Sequence, residues 1–284
     1  MNSNVNDIER IAFLIEDCRS MDIEVQAPQI NESYDGFSVV APNSKVIRFG
    51  LSAIKNVGSN IVKNIIGERK TNGAYKDIED FVTRVKSINR KTFESLVRGG
   101  ALDDFEERGL LIANTDSLMN HAKETQKKSA TGQISLFGGN NSVMAPFTLE
   151  EALPMPRAER LKWEKELLGL YISDHPLKNI QEKMGNKKVM SITEATSKLN
   201  RNVEFVGLVS KVKKIVTKSG QPMMFTTVED MSSKIEVVVF PRVLEQNPKI
   251  WEENSILQIK GKLTERNGAQ SFLCNDAIQL DSIA

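Results

Sequence analysis

Ser173-Asp174-His175 carries the side-chain types of an acyl-transfer triad. A proton relay needs nucleophile, base and orienting acid to converge from separate segments, and three consecutive residues cannot reach that geometry. Before Pro176, His175 reads instead as a structural link into the next helix. Four acidic pairs, Glu16-Asp17, Glu79-Asp80, Asp103-Asp104 and Glu229-Asp230, offer carboxylates. Nucleotidyl transfer would need such groups gathered around two Mg²⁺ ions about 3.5–4 Å apart. Each pair lies in a stretch that reads as helix or turn, far from the others. No Gly-x-x-x-x-Gly-Lys loop is present to cradle nucleotide phosphates. Two His and two Cys are too few for a Cys/His zinc centre, and the isolated Cys18 and Cys274 read as reduced thiols.

Charge points elsewhere. Overall, 38 Lys plus Arg balance 37 Asp plus Glu, but residues 1–40 hold 2 basic and 8 acidic side chains and residues 41–100 hold 12 and 5. A block of +7 in a neutral chain marks either a polyanion site or a solvated helical face. Within it, Leu51-Ser-Ala-Ile-Lys-Asn-Val-Gly-Ser-Asn-Ile-Val-Lys-Asn-Ile-Ile reads as helix, tight hairpin, helix. Asn56 and Gly58 bracket Val57, and both residue types tolerate the left-handed backbone of such a turn. Val57 is placed to plug the gap between the helices. Ser59 opens the next helix, whose free N–H groups and positive dipole end make a seat for a DNA phosphate. A second turn is expected at Gly99-Gly100, inside Thr92-Phe-Glu-Ser-Leu-Val-Arg-Gly-Gly-Ala-Leu-Asp-Asp-Phe. Lys55, Lys63 and Arg98 flank the two turns. Such hairpins grip both strands of a duplex through its backbone, without reading bases. The competing reading is two ordinary helical hairpins with Gly at the helix ends. Coincidence with the basic block favours double-stranded DNA.

A third feature lies in a stretch rich in Gln, Lys, Ser, Gly and Asn, residues 126–148, which reads as a flexible connector. Within Gly132-Gln-Ile-Ser-Leu-Phe-Gly-Gly, two adjacent large hydrophobes, Leu136 and Phe137, sit in a segment with no core to bury them. Such an island implies a partner. Gln133 would make polar contacts at a pocket rim while Leu136 and Phe137 fill an apolar cleft. Burying each is worth roughly 1.5–3 kcal/mol, and ordering the peptide takes back about 2–5 kcal/mol. Alone it binds weakly; attached to a DNA-bound module the contact becomes intramolecular. Docking of the pair on its own chain is the alternative.

The elements that must position these residues follow from periodicity and length. At 284 residues the chain is long enough for about two domains, and 40% hydrophobic with 26% charged residues is a globular mix. No apolar run approaches the ~20 residues of a membrane span, and the first residues lack a signal segment, so a cytoplasmic protein without a membrane partner is expected. Residues 7–21 are spaced as a helix, residues 31–49 as a small hairpin turning at Gly36 and Pro42-Asn43, and residues 51 to about 120 as helices throughout. Arg157 to Leu168 gives a further helix. From Val203, short apolar runs alternate with turns at Lys218-Ser-Gly-Gln, Glu229-Asp-Met-Ser-Ser and Arg266-Asn-Gly-Ala, with a helical interlude near Pro241–Gln246. Five or six strands in about 80 residues, with one helix between late strands, fit a small closed barrel of OB type. Lys211, Lys213 and Lys214 cluster at its first hairpin, and Lys211 and Lys213 share a face. There they would track a single strand's phosphates, with Phe205, Phe225, Phe240 or Phe272 as stacking platforms or, more ordinarily, as core.

In this order the pieces resemble the C-terminal half of the bacterial DNA polymerase III alpha subunit. The resemblance rests on Ile23-Glu-Val-Gln-Ala-Pro-Gln-Ile-Asn, Arg48-Phe-Gly-Leu-Ser-Ala-Ile-Lys-Asn-Val-Gly and Leu96-Val-Arg-Gly-Gly-Ala-Leu-Asp. It continues in Gln133-Ile-Ser-Leu-Phe, Glu166-Leu-Leu-Gly-Leu-Tyr-Ile-Ser-Asp-His-Pro-Leu and Thr217-Lys-Ser-Gly-Gln-Pro-Met-Met-Phe-Thr-Thr-Val-Glu-Asp. It implies a multidomain chain: residues 1–45 the end of the fingers, 46–125 an all-α tandem helix-hairpin-helix region holding duplex DNA, and 126–150 a flexible linker. Residues 151–199 would be a helical connector and 200–284 an all-β OB barrel near the single-stranded template. Gln133, Ser135, Leu136 and Phe137 would engage the sliding clamp, with other replicative polymerase subunits as further partners. Asn56 stands where the family usually has Gly.

None of the acidic pairs resembles the family's palm motif. The resemblance therefore places Mg²⁺ in the parent polymerase and no cofactor in this segment, which is expected not to polymerise DNA by itself. Two readings stay open: an accessory, DNA-binding and clamp-tethering portion of a replicative polymerase, or a stand-alone DNA-binding clamp adaptor. A nuclease or ligase with hairpin and OB modules is disfavoured by the lack of a catalytic Lys motif or metal cluster.

Overall fold

Ile11, Ile15 and Cys18 recur at helical spacing and are buried along one side of α1 (Ile8–Ser20), which opens the computed structural model. The structure describes residues 1–2, 8–42, 45–86, 88–131, 147–178, 180, 190–266 and 269–280. They fall into two units, Met1–Ser173 and Asp174–Ala284.

In the first unit, β2 (Ser38–Val39) and β3 (Val46–Arg48) form the antiparallel hairpin that the turn residues announce. β1 (Glu24–Gln26) pairs with β3 in parallel, so the sheet order is β1-β3-β2. The helix expected at Leu51 is a single 3₁₀ turn, Leu51–Ala53. Its length is set by what precedes it: the amides of Leu51 and Ser52 donate to Tyr34 and Asp35 carbonyls, and Ile54 is already extended.

Among the described residues six more helices follow: α2 (Ser59–Asn72), α3 (Ile78–Arg84), α4 (Arg90–Arg98), α5 (Arg108–Ala113), α6 (Thr115–Thr131) and α7 (Arg157–Leu168). Their starts follow capping chemistry in three cases. Asp77, Asn89 and Glu107 each accept a backbone N–H from the first turn of α3, α4 and α5. One core collects Phe81, Phe93, Leu96 and Leu118 from the helices with Ile11, Ile30 and Phe49 from the preceding segment and Leu167 and Leu168 from α7. Residues 1–45 and 151–173, separated from 46–125 in the sequence reading, thus pack into the same core.

Residues 126–131, expected in the connector, are the last turns of α6. Beyond it, Phe147 and Leu149 pack against that core, and Asn114 clasps Glu150 by donating to its carbonyl (2.8 Å) and accepting its N–H (2.8 Å). Gln133, Ser135, Leu136 and Phe137 lie outside the described residues.

In the second unit, α8 (Ile192–Thr196) opens with a capping box between Ser191 and Glu194, and Ile192 and Ala195 enter the barrel core. Asp230 accepts the Ile192 N–H (2.7 Å), so residues before 200 belong physically with the strands. Five strands, β4 (Asn202–Val216), β5 (Pro222–Glu229), β6 (Lys234–Val239), β7 (Ile256–Arg266) and β8 (Ala269–Gln279), close into a barrel in the order β4-β5-β6-β8-β7. The β6–β8 pair is parallel and the other pairs are antiparallel. α9 (Pro241–Gln246) lies between β6 and β7, with Pro at its first turn. Alternation explains the inside: Met224, Thr226 and Val228 of β5 and Ile235, Val237 and Val239 of β6 are all buried.

Candidate nucleic-acid interface

The first turn runs from Ile54 to Gly58. Asn56 takes the left-handed backbone, φ +68°, as its residue type permits. Its carbonyl accepts from Thr92 Oγ1 (3.2 Å), which ties the turn to the start of α4. Val57 is buried in the core, in the plugging position its spacing implies. Gly58 corrects the sequence reading: at φ −76°, ψ 147° it is extended, not left-handed, and serves as the N-cap of α2. It has no side chain to cap with, and a Cβ there would meet nothing within 4 Å. Among the described residues no acceptor takes the N–H of Gly58, Ser59 or Asn60. No acidic residue lies in the first turn of α2. A 14-residue helix therefore presents its dipole's positive end and unpaired donors directly to solvent, with Lys55 and Lys63 exposed beside them.

The second turn is built oppositely, and here the structure corrects the expected phosphate contacts. Gly99 and Gly100 are buried. The amides of Gly99, Gly100 and Ala101 donate to Ser95, Val97 and Leu96 carbonyls, each near 3.0 Å, so none is left for a ligand. Gly100 is left-handed, φ +81°, and a Cβ on it would overlap the Arg108 guanidinium. Arg108, only 3% exposed, bonds Asp103 through Nε (2.8 Å) and Nη2 (2.7 Å), the Arg98 carbonyl (3.1 Å) and Glu164 (3.1 Å). Burial works against its charge, but the hydrogen bonds and charges of Asp103 and Glu164 overcome this, and its pKa is raised. Arg98 is likewise engaged, over the Trp163 ring (5.2 Å) and beside Glu94 (3.4 Å).

The basic block separates by residue type. Arg48 pairs with Glu32, Arg84 with Glu68 (3.1 Å) and Asp80 (2.8 Å), Arg90 with Glu94 (2.8 Å) and Asp116 (2.5 Å), and Arg69 donates to the Ile30 and Ser33 carbonyls. These arginines fasten the fold. Lys55, Lys63, Lys70, Lys86 and Lys91 are exposed and carry no ion pair among the described residues. Lys70, Lys86 and Lys91 escaped the sequence reading, the last two because they lie far from the turn in sequence. Asn64 Nδ2 donates to the Lys86 carbonyl (2.8 Å) and Thr92, next to Lys91, bonds the Asn56 carbonyl, so contacts distant in sequence bring both toward the first turn.

On the barrel, a bulge between Val209 and Lys211 shifts the register, after which Lys211 and Lys213 face outward opposite Thr227 and Phe225. Lys214 falls on the other face of the ribbon, opposite Met224. Lys213, Phe225, Val238, Leu273 and Lys262 are successive cross-strand partners and form one row on the outer side of all five strands, with Val238 buried within it. Phe205 and Phe272 are core, their rings 4.9 Å apart edge to face. Phe240 is exposed at the start of α9.

Among the described residues no group of three or more His, Cys, Asp or Glu could hold a metal ion. Three of the four acidic pairs are occupied otherwise: Glu79 bonds His121 (2.9 Å), Asp80 holds Arg84, Asp103 holds Arg108 and Asp230 ties its own turn. His175 Nδ1 accepts the Leu177 N–H (3.2 Å), a local link of the kind its position before Pro176 implies. Among the described residues no helix is long and apolar enough to cross a membrane.

Geometry and comparison agree on the class. Residues 22–110 match the helix-hairpin-helix motif family and residues 203–280 the OB-fold nucleic acid binding domain family, so two nucleic-acid-binding folds follow one another in this chain. Along its whole length the chain is similar to a part of the DNA polymerase III alpha subunit. It is 36% identical over 262 residues to the alpha subunit of Thermus aquaticus, covering 89% of this chain and 21% of that protein. It is 32% identical over 287 residues to that of Bacillus subtilis and 31% over 292 residues to that of Borreliella burgdorferi, each covering 100% of this chain and 25% of the relative. The chain thus spans about a quarter of the length of these relatives.

Proposed function

We propose that this chain is the DNA-holding portion of a replicative polymerase, acting by position and processivity rather than by bond chemistry. The observation that carries the reading is the open start of α2, where unpaired N–H groups and the exposed Lys55 and Lys63 surround a position without a side chain. That arrangement suits a duplex phosphate and carries no base information. The outward row from Lys213 to Lys262 suits a single strand, Phe225 offering a ring and the lysines charge. In the same reading Gln133, Ser135, Leu136 and Phe137 engage a sliding clamp, and tethering to DNA-bound modules raises the effective concentration of that weak contact.

Titration of labelled duplex and single-stranded oligonucleotides against salt tests the assignment. Replacing Lys55 and Lys63 by Gln is expected to lower the duplex salt slope by about 1.8 and leave the single-strand slope alone. Replacing Lys211 and Lys213 by Gln is expected to lower the single-strand slope, by about 0.7 for each phosphate no longer neutralised. Equal weakening on both probes from either pair, or none, would sink the division of labour. Clamp binding that Leu136→Ala/Phe137→Ala does not weaken would remove the tether.

A further inference from the structure

The solvent face of α2 contains a feature that the fold does not explain. Gly67 lies in the middle of the helix, at the centre of its exposed side, and a Cβ there would meet nothing within 4 Å. Glycine inside a helix is unfavourable relative to almost any other residue, and no packing among the described residues asks for it. At 100° per residue, Lys63 and Lys70 flank Gly67 on one side of this face and Asn60 and Thr71 on the other. Glu68, the helix's one acid, lies at the margin, held by Arg84 (3.1 Å) and Asn72 (2.7 Å). The exposed face therefore holds cations and neutral hydrogen-bonding groups around a point where the helix backbone is bare. It runs on from the open N-terminus at Gly58, and Lys63 to Lys70 spans about 10 Å along the axis.

We propose that the exposed face of α2 is a close-approach surface for the sugar-phosphate backbone of duplex DNA, with Gly67 at the point of closest contact and Lys63 and Lys70 on its flank. This rests on the duplex reading of the first turn and extends the contact from one phosphate at the helix end to a track along the helix. A protein partner would want apolar anchors on such a face; the charge and the missing side chain favour a polyanion.

The test uses the full chain and a blunt duplex, with affinity measured over a range of salt and melting temperature measured alongside. Gly67→Leu adds a strong helix former in open space, so it should melt no lower than wild type while binding duplex at least about fivefold more weakly. Gly67→Ala should fall between. Lys70→Gln should lower the salt slope by about 0.9. Gly58→Asp, which blocks the helix end alone, separates the two ideas. If Gly58→Asp weakens binding and Gly67→Leu and Lys70→Gln do not, the track is overturned and the turn stands. If only the Gly67 and Lys70 variants matter, the track stands and the turn falls. Wild-type binding undisturbed by all three variants, or absent altogether, overturns both.

Discussion

At Gly58 the helical unit leaves backbone donors facing solvent, whereas at Gly99 and Gly100 it has committed every one of them. Both positions adjoin a helix end, and both lie beside a cation. The difference is in what glycine's missing side chain makes room for. At Gly58 no described residue comes within 4 Å of the place a side chain would take. At Gly100 the room is filled by Arg108, which the chain itself supplies, with Asp103 and Glu164 as counter-charges. Glu164, 1% exposed, then uses its second oxygen to accept the Ile172 and Ser173 N–H groups (3.0 Å each). In the proposed reading Gly58 leaves room for an outside ligand, whereas Gly100 makes room for a buried ionic knot that fastens α7 to the α4–α5 turn.

The sharpest way to break this comparison is Gly100→Ala. The left-handed backbone costs about 1–2 kcal/mol for a residue with a Cβ, and the overlap with Arg108 loosens a buried charge network for a further cost of similar size. A destabilisation of about 2–4 kcal/mol is expected, read as a lower urea midpoint of the helical unit. Duplex affinity of the folded protein should be unchanged. If Gly100→Ala is neutral in stability and weakens DNA binding, the assignment of the two turns is inverted.

Gly58→Asp should behave in the opposite sense. The backbone is already extended as an N-cap requires, the site has room, and an aspartate there accepts the free N–H groups and meets the positive dipole end. Stability should rise by about 0.3–1 kcal/mol. Duplex binding should weaken, because the carboxylate occupies the donors and repels the phosphate. A variant that is more stable and binds less tightly is the signature of a helix end left uncapped for a ligand. A variant that binds as wild type would leave Gly58 as an ordinary, poorly capped start.

The barrel was legible in residue order because strand alternation and turn composition are local properties, and they place Met224, Thr226 and Val228 inside without knowledge of the partner strands. The start of α2 was legible for the same reason. The fate of Gly99-Gly100 was not, since it is decided by Arg108 and by Glu164, 64 residues beyond Gly100 in the sequence. Net charge misled in a related way. The +7 block counts arginines and lysines alike, yet the arginines answer acids such as Glu32, Glu68 and Asp116 while the lysines stay exposed. A planar guanidinium with several donors is suited to fixing buried carbonyls and carboxylates, and a strongly hydrated ammonium is not. Lys86 and Lys91 became candidates only once Asn64 and Thr92 were seen to draw their backbones toward the first turn.

The smallest expected effect concerns Asn56, and it asks whether the first turn is shaped for its ligand or merely tolerated. At φ +68° an asparagine carries some strain that glycine would not, while its Nδ2 makes only a long contact with Ser95 Oγ (3.4 Å). Glycine, however, adds conformational entropy to the unfolded chain, which offsets part of the relief. The two terms are each below about 1 kcal/mol and opposed, so Asn56→Gly should shift stability by no more than about 0.5 kcal/mol in either direction. Because the Asn56 carbonyl, not its side chain, holds Thr92, the turn should keep its place beside α4 and bind duplex as before. If duplex affinity instead falls with stability unchanged, the Asn56 side chain is itself a ligand contact, and the open turn extends one residue further toward Lys55.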